Sequence, residues 1–282
     1  MAESIKRCVF CDEAGKKVTR GHIFGQRILD ELPRPAPGVP FLNKVMMLDP
    51  QRNAWSTVEE RDPRSPYHMP VNVICEACNG AWMGTIEAAF RGVLVKVQGQ
   101  TTYRFTRHPQ DTLALWISVV SILSQYVHKS TVVTPVADRR YVRSNDLPAP
   151  GTHIWLARSG EGPASIVGMM HALDGRIAEE DDNRTGHRYV YGLIFGPFAA
   201  LLIGGLVIDG FEPEVKTKPA GAFQRIWPRQ GSFRWSAATP TANAIDLEIF
   251  RKHLAGYLTP MVPPLTAPLE ILQRRGRHDD AP

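Results

Sequence analysis

Four cysteines define the clearest chemistry in this chain: Cys8 and Cys11 in CVFC, and Cys75 and Cys78 in CEAC. Every cysteine thus belongs to a Cys-x-x-Cys pair, and two intervening residues let both sulfurs of a tight turn reach one ion. Two such knuckles supply the four thiolates of a tetrahedral zinc site, which is structural because no position stays open for a substrate. Two disulfides or four separately buried thiols are the competing readings. Neither explains why no cysteine lies outside the pairs.

Two polar residues stand close to these pairs. His22, in Arg20-Gly21-His22-Ile23-Phe24-Gly25, precedes a short helical stretch, QRILDEL. A neutral imidazole titrates near the working pH and suits a general base, although a turn histidine is more commonly just solvated. Asn79 follows Cys78 at the start of a helical segment. Its amide oxygen either caps that helix or faces an ion and a phosphate there. Lys6, Arg7, Lys16, Lys17, Arg20 and Arg27 crowd the same region, and Arg225–Trp235 interleaves arginines with two tryptophans and a phenylalanine. Such stretches pair with phosphates and stack on bases, or else are a solvated surface and a Trp-anchored turn.

The elements that position these groups follow from patterning. A knuckle and a short hairpin turning at Ala14-Gly15 lead to His22. Residues 33–70 hold eight prolines and little apolar periodicity, so they read as an irregular insertion with one extended stretch at FLNKVMML. The strand-like VNVI enters the second knuckle. In Asn79–Val97, Trp82, Ile86, Phe90 and Val93 recur at helical spacing, giving Trp82 a place in the core. Glu87 reads as a surface charge or an ion pair with Arg91 one turn on. A second amphipathic helix is expected over Asp111–Lys129, followed by strands at STVV, THIWLA and ASIVGMM, and a last helix over Asn243–Leu258.

Tyr189–Ile208 has no charge and matches a membrane span in length. Gly192, Gly196, Pro197, Gly204 and Gly205 divide it, so two buried strands meeting at Gly196-Pro197 are the better reading. The fold class is therefore α+β: a zinc-bound finger over residues 1–98, a mixed α/antiparallel-β domain over 99–258, and a flexible tail over 259–282. With 282 residues, 43% hydrophobic and 22% charged, the chain is long and apolar enough for a packed core, which excludes wholesale disorder. The net charge of +5 is compatible with a polyanionic partner. The start, MAESIKRC, lacks the apolar run of a signal peptide, so a cytoplasmic protein with reduced thiols and no membrane partner is expected.

CVFC, TRGHIFG (Thr19–Gly25) and CEACNGAWMGTIE (Cys75–Glu87) together resemble the zinc-stabilised members of the His-Asn-His (HNH) endonuclease family. That resemblance covers about 100 residues and implies a treble-clef-like ββα-metal finger that hydrolyses phosphodiester bonds, with DNA as the expected substrate. It implies His22 as general base, Asn79 as ligand of a catalytic ion such as Mg²⁺, and Arg20 and Arg27 as phosphate contacts. The family places Asp, Glu or His before the base, where this chain has Gly21, and an Asn where it has Pro70. Asn72 and His68, two residues to either side of Pro70 on one strand face, are the candidates to stand in. The alternative is a catalytically inactive zinc finger that binds nucleic acid or protein. More loosely, the ALW helix and the RIWP turn resemble the region that accompanies the finger in those bacterial proteins.

Overall fold

The computed structural model describes residues 7–33, 41–49, 54–62, 70–126, 134–161, 166–172, 189–205 and 222–243. His68, Lys6, the STVV stretch, nearly all of the expected last helix and the tail at 259–282 lie outside them. The architecture is mixed α and β, with mainly antiparallel sheets.

Near the N-terminus, β1 (Val18–His22) pairs antiparallel with β4 (Pro70–Cys75), from Val18 opposite Cys75 to His22 opposite Pro70. The sequence suggested a local hairpin. Gly15 does make a turn at φ +74°, and a single bridge joins Arg7 to Ala14, but the strand leaving that turn finds its partner about fifty residues away. The β-branched run of VNVI supplies the stronger partner for β1, whereas the Arg7–Glu13 segment is bent into the knuckle.

The helix after β4 begins as a π-helical turn, Ala77–Trp82, and continues as α2 (Met83–Gly99). Ile86, Phe90, Val93, Leu94 and Val97 form its buried stripe. Trp82 is buried as its place in that stripe requires, edge-on to Phe10 at 4.8 Å, with its indole N–H donating to Asp146 at 2.7 Å. α1 (Gln26–Leu29) is the short helix expected after His22.

The main sheet runs in the order β10 (Gln224–Trp227), β6 (His153–Ser159), β9 (Phe198–Gly204), β8 (Tyr189–Phe195), β7 (Ile166–Ala172), β2 (Phe41–Asp49) and β3 (Ala54–Asp62), with β12 (Thr241–Ala242) added on β6. Only β2–β7 and β12–β6 are parallel among these pairs. β8 and β9 are wholly buried and meet at Gly196-Pro197, as the glycine spacing indicated. Among the described residues, no helix is long and apolar enough to cross a membrane. The 33–70 segment is less irregular than its prolines suggested: β2 and β3 form a hairpin that extends the main sheet through β7.

α3 (Arg107–Ser124) lies under this sheet and is buried on every side from Thr112 to Leu123, so it is a central helix and not an amphipathic one. The hydroxyls of its serines each donate to a carbonyl of the same helix: Ser118 to Ala114, Ser121 to Ser118 and Ser124 to Val120. A hydroxyl satisfied in this way is buried at little cost. The expected boundary at 98/99 falls within the last turn of α2, just before β5 (Thr102–Phe105), and side chains from both sides of it share one core. Phe90 stacks on Trp116 at 3.7 Å, and Phe24 lies 5.2 Å from Phe195.

Candidate metal centre

The four sulfurs converge. Cys8, Cys11, Cys75 and Cys78 are all free thiols, and their Sγ atoms lie within 4.8 Å of one another. The edge of a tetrahedron with 2.3 Å metal–sulfur bonds is about 3.8 Å, and Cys11 Sγ lies 3.8 Å from Cys75 Sγ. Donor set and spacing therefore fit one zinc ion, and no disulfide is formed.

The local backbone builds this pocket. Asp12 takes a left-handed conformation, φ +54°, and its N–H donates to the Cys8 carbonyl at 2.9 Å, which folds the knuckle back on itself. Val9 N–H donates to Val73 O at 2.8 Å, fastening the knuckle to β4. Burial raises the Cys8 thiol, but N–H groups of Cys75, Cys11 and Phe10 pointing at its sulfur outweigh that and lower it on balance. Cys11 is pushed up to about 11 by burial, and Cys78 is raised further for the same reason despite Arg143 beside it. Metal binding must displace protons from such thiols, so loading is favoured by rising pH.

From the other side, α4 (Val136–Asn145) grips the knuckle. Arg140 and Arg7 both pair with Asp12, and the Arg143 guanidinium sits 5.0 Å over the Trp82 ring.

Each residue marked in the sequence can now be placed. Arg20 and His22 are exposed on β1, and Gly21 between them is buried. The pairing with β4 shifts register between Thr19 and Gly21, and the exposure pattern turns Arg20 and His22 outward and Gly21 inward. A Cβ on Gly21 would come 2.9 Å from Ile74 Cδ1 and 3.1 Å from Asn79 Oδ1. Gly21 thus abuts Asn79 from β1. Asn79 is no N-cap: it lies inside the π-helical turn, and its amide nitrogen donates to Thr19 Oγ1 at 3.1 Å, tying α2's start to β1. Asn72 is exposed on β4, and Arg27 is exposed on α1. A shallow pocket of about 370 Å³ opens beside the cysteines, lined by Lys16, Lys17, Cys75, Glu76 and Ala77.

Among the described residues, no second group of three or more His, Cys, Asp or Glu gathers its ligand atoms. Gly21 is closed against Ile74 and Asn79, and no set of protein ligands for a catalytic magnesium ion is gathered at this corner among the described residues. The aromatic residues of Arg225–Trp235 are likewise committed: Trp235 is buried, Phe233 stacks on Phe105 at 4.9 Å, and Arg229 pairs with Asp111 at 3.2 Å.

Glu87 is the site residue that sequence reasoning misplaced. Arg91 pairs with Glu31 of the α1 side instead, and Glu87 turns inward to accept the Gly25 backbone N–H. The approach is so close that a Cβ on Gly25 would sit 2.1 Å from Glu87 Oε2. The glycine of TRGHIFG and the glutamate of CEACNGAWMGTIE therefore form one clasp, a pairing visible only when the two segments are aligned in space.

Burial raises the Glu87 carboxyl to about 6, against the opposing pull of the Gly25 N–H and Arg27. The folded chain then holds an extra proton between the unfolded value of 4.5 and about 6. Stability from this group is fully present below that window and is lost as pH rises through it, by an amount on the order of 2 kcal/mol. Denaturant titrations across this range should show wild type losing stability relative to Glu87→Gln, which keeps an acceptor for Gly25 and does not titrate. A constant difference between the two proteins would remove Glu87 as the titrating group.

Compared with known proteins, the chain matches no family model, no curated protein and no solved structure.

Proposed function

We propose that this chain is a zinc-stabilised, HNH-like nuclease that hydrolyses phosphodiester bonds, most simply in DNA, with His22 as general base. The observation that supports this reading is the display of Arg20 and His22 side by side on the outer face of a strand whose inner face is clamped to a cysteine-anchored helix. Such a strand offers a cation for phosphate and an imidazole for the attacking water on one rigid support. The finger would be of the treble-clef type, with the zinc purely structural.

A second reading is favoured by Gly21. Its inner-face position is filled by Ile74 and Asn79, which leaves no room for the metal-holding residue that the resemblance implies. On that reading the finger binds nucleic acid without cutting it.

One experiment separates the two. Supercoiled plasmid, single-stranded DNA and RNA are incubated with wild type and His22→Ala, without added metal and with Mg²⁺, Mn²⁺ or Ni²⁺. The nuclease reading expects nicking that falls by two orders of magnitude or more in His22→Ala. Equal nicking by both proteins would reject His22. Binding without any nicking selects the second reading, and neither binding nor nicking rejects both.

A further inference from the structure

Away from the zinc corner, the ribbon of β5 and β11 (Phe233–Ser236) carries a charge pairing that folding alone does not favour. Its register sets Phe233 opposite Phe105 and Trp235 opposite Tyr103 on one face. On the other face, Arg234 stands opposite Arg104, and Ser236 opposite Thr102. The aromatic face is the packed one: Trp235 lies 5.5 Å from Phe105 and 5.5 Å from Phe198. Arg104 and Arg234 are exposed.

Directly opposed residues on an antiparallel pair have Cβ atoms about 5 Å apart, and like charges held there repel. Arg104 donates to Ser232 Oγ at 3.0 Å, a neutral partner, and among the described residues no carboxylate pairs with Arg104 or Arg234. The nearby acid, Asp111, already faces Arg229 at 3.2 Å and Arg107 at 3.8 Å. Arg107 is itself 80% exposed in its side chain and adds a further charge where α3 starts. Gln110 holds this corner rigid, donating to Phe105 O at 2.9 Å and Gly231 O at 2.7 Å. The result is a fixed, net positive face with two guanidiniums side by side.

We propose that the outer face of the β5–β11 ribbon is a contact surface for the phosphodiester backbone of a nucleic acid, with Arg104 and Arg234 as its paired phosphate contacts. This rests on the nucleic-acid reading given above and adds a second contact region to it. A guanidinium presents forked donors that match phosphate oxygens. An anion placed between two such groups turns their mutual repulsion into attraction. Contacts of this kind fix orientation and carry no base information, so the surface serves duplex or single strand alike.

The test is a set of anisotropy titrations with labelled duplex and single-stranded DNA, over a range of salt and without added divalent ions. Wild type is compared with Arg104→Gln/Arg234→Gln and with Arg104→Lys/Arg234→Lys. The glutamine pair should bind more weakly, with a slope of log affinity against log salt shallower by roughly 1.8 on duplex or roughly 1.4 on single strand. Its melting temperature should be unchanged or higher, because a like-charge pair has gone. The lysine pair should keep the wild-type slope. An unchanged slope in the glutamine pair would overturn the ribbon surface while leaving the nucleic-acid reading intact. A lowered melting temperature alongside weaker binding would overturn it as well, by showing that the arginines serve the fold. Absence of binding by wild type would reject the nucleic-acid reading itself, and the ribbon with it.

Discussion

Purified under reducing conditions, the chain is expected to carry one zinc ion per molecule, and Cys78→Ser is expected to lose both the ion and the cooperative melting transition. Cys78 is 1% exposed and sits in the helical turn that joins β4 to α2. Its sulfur lies within 4.8 Å of the other three, and the Cys11 sulfur meets that of Cys75, 64 residues along the chain, at 3.8 Å. The ion therefore closes a long loop and fixes the knuckle, β4 and the start of α2 together. Structural zinc in finger peptides binds with roughly 10–16 kcal/mol, as much as the whole stability of an ordinary domain. Serine offers a poor ligand, and a three-thiolate site in a buried cleft would also expose its remaining thiols to oxidation. Metal analysis and circular dichroism melts, with and without a chelator, read this directly. Equal melting curves for zinc-loaded and zinc-free protein would show that the four thiols need no ion.

Phe90→Ala should be nearly as damaging, costing roughly 3–5 kcal/mol. Phe90 has no exposed surface, stacks on Trp116 at 3.7 Å with the rings 7° from parallel, and lies 5.9 Å from Phe195 and 6.1 Å from Phe198. It is thus the point where α2, α3 and the β8–β9 pair meet. Truncation leaves a cavity between rigid aromatic rings that cannot collapse into it. Because α2 directly continues the turn bearing Cys78, the variant should also release zinc to a competing chelator faster than wild type. Denaturant unfolding gives the first quantity and chelator kinetics the second. A loss below 1 kcal/mol with unchanged zinc release would mean that the finger and the sheet are energetically separate.

Much of the metal centre could be read from the chain because Cys-x-x-Cys is a local signal: two residues of spacing already constrain where the sulfurs go. The β8–β9 pair was equally legible, since Gly196-Pro197 places a turn in the middle of a long uncharged, apolar run. What escaped was everything set by distant partners. Nothing in VTRGH says that it pairs with PVNVIC, and nothing in FLNKVMML says that it lies parallel to β7. Pairing choice depends on which edges are free once the rest has assembled, and it leaves no periodicity to find. Glu87 failed for a related reason. A glutamate four residues before an arginine on a helix suggests an ion pair, but Gly25 offers a backbone N–H at a distance that no other residue would allow. Nor does a sequence show that the hydroxyls of Ser118 and Ser121 are satisfied by their own helix, which lets α3 be buried on every side.

The β2–β7 pairing also fixes an order of events at the ribosome. Cys8 and Cys11 emerge first, then β2 and β3, then Cys75 and Cys78, while β7 begins at Ile166. Synthesis proceeds at about 5–20 residues per second, so the first knuckle waits several seconds for its second half. The β2–β3 hairpin, held between the two halves of the ion site, waits longer still for the strand it must join. During that interval one edge of a nine-residue strand is open to any other extended chain. Early closure of the cysteines around zinc would shorten the tether on that hairpin and keep it near its own sheet. The ion would then act as a guide to correct assembly as well as a support for the finished protein.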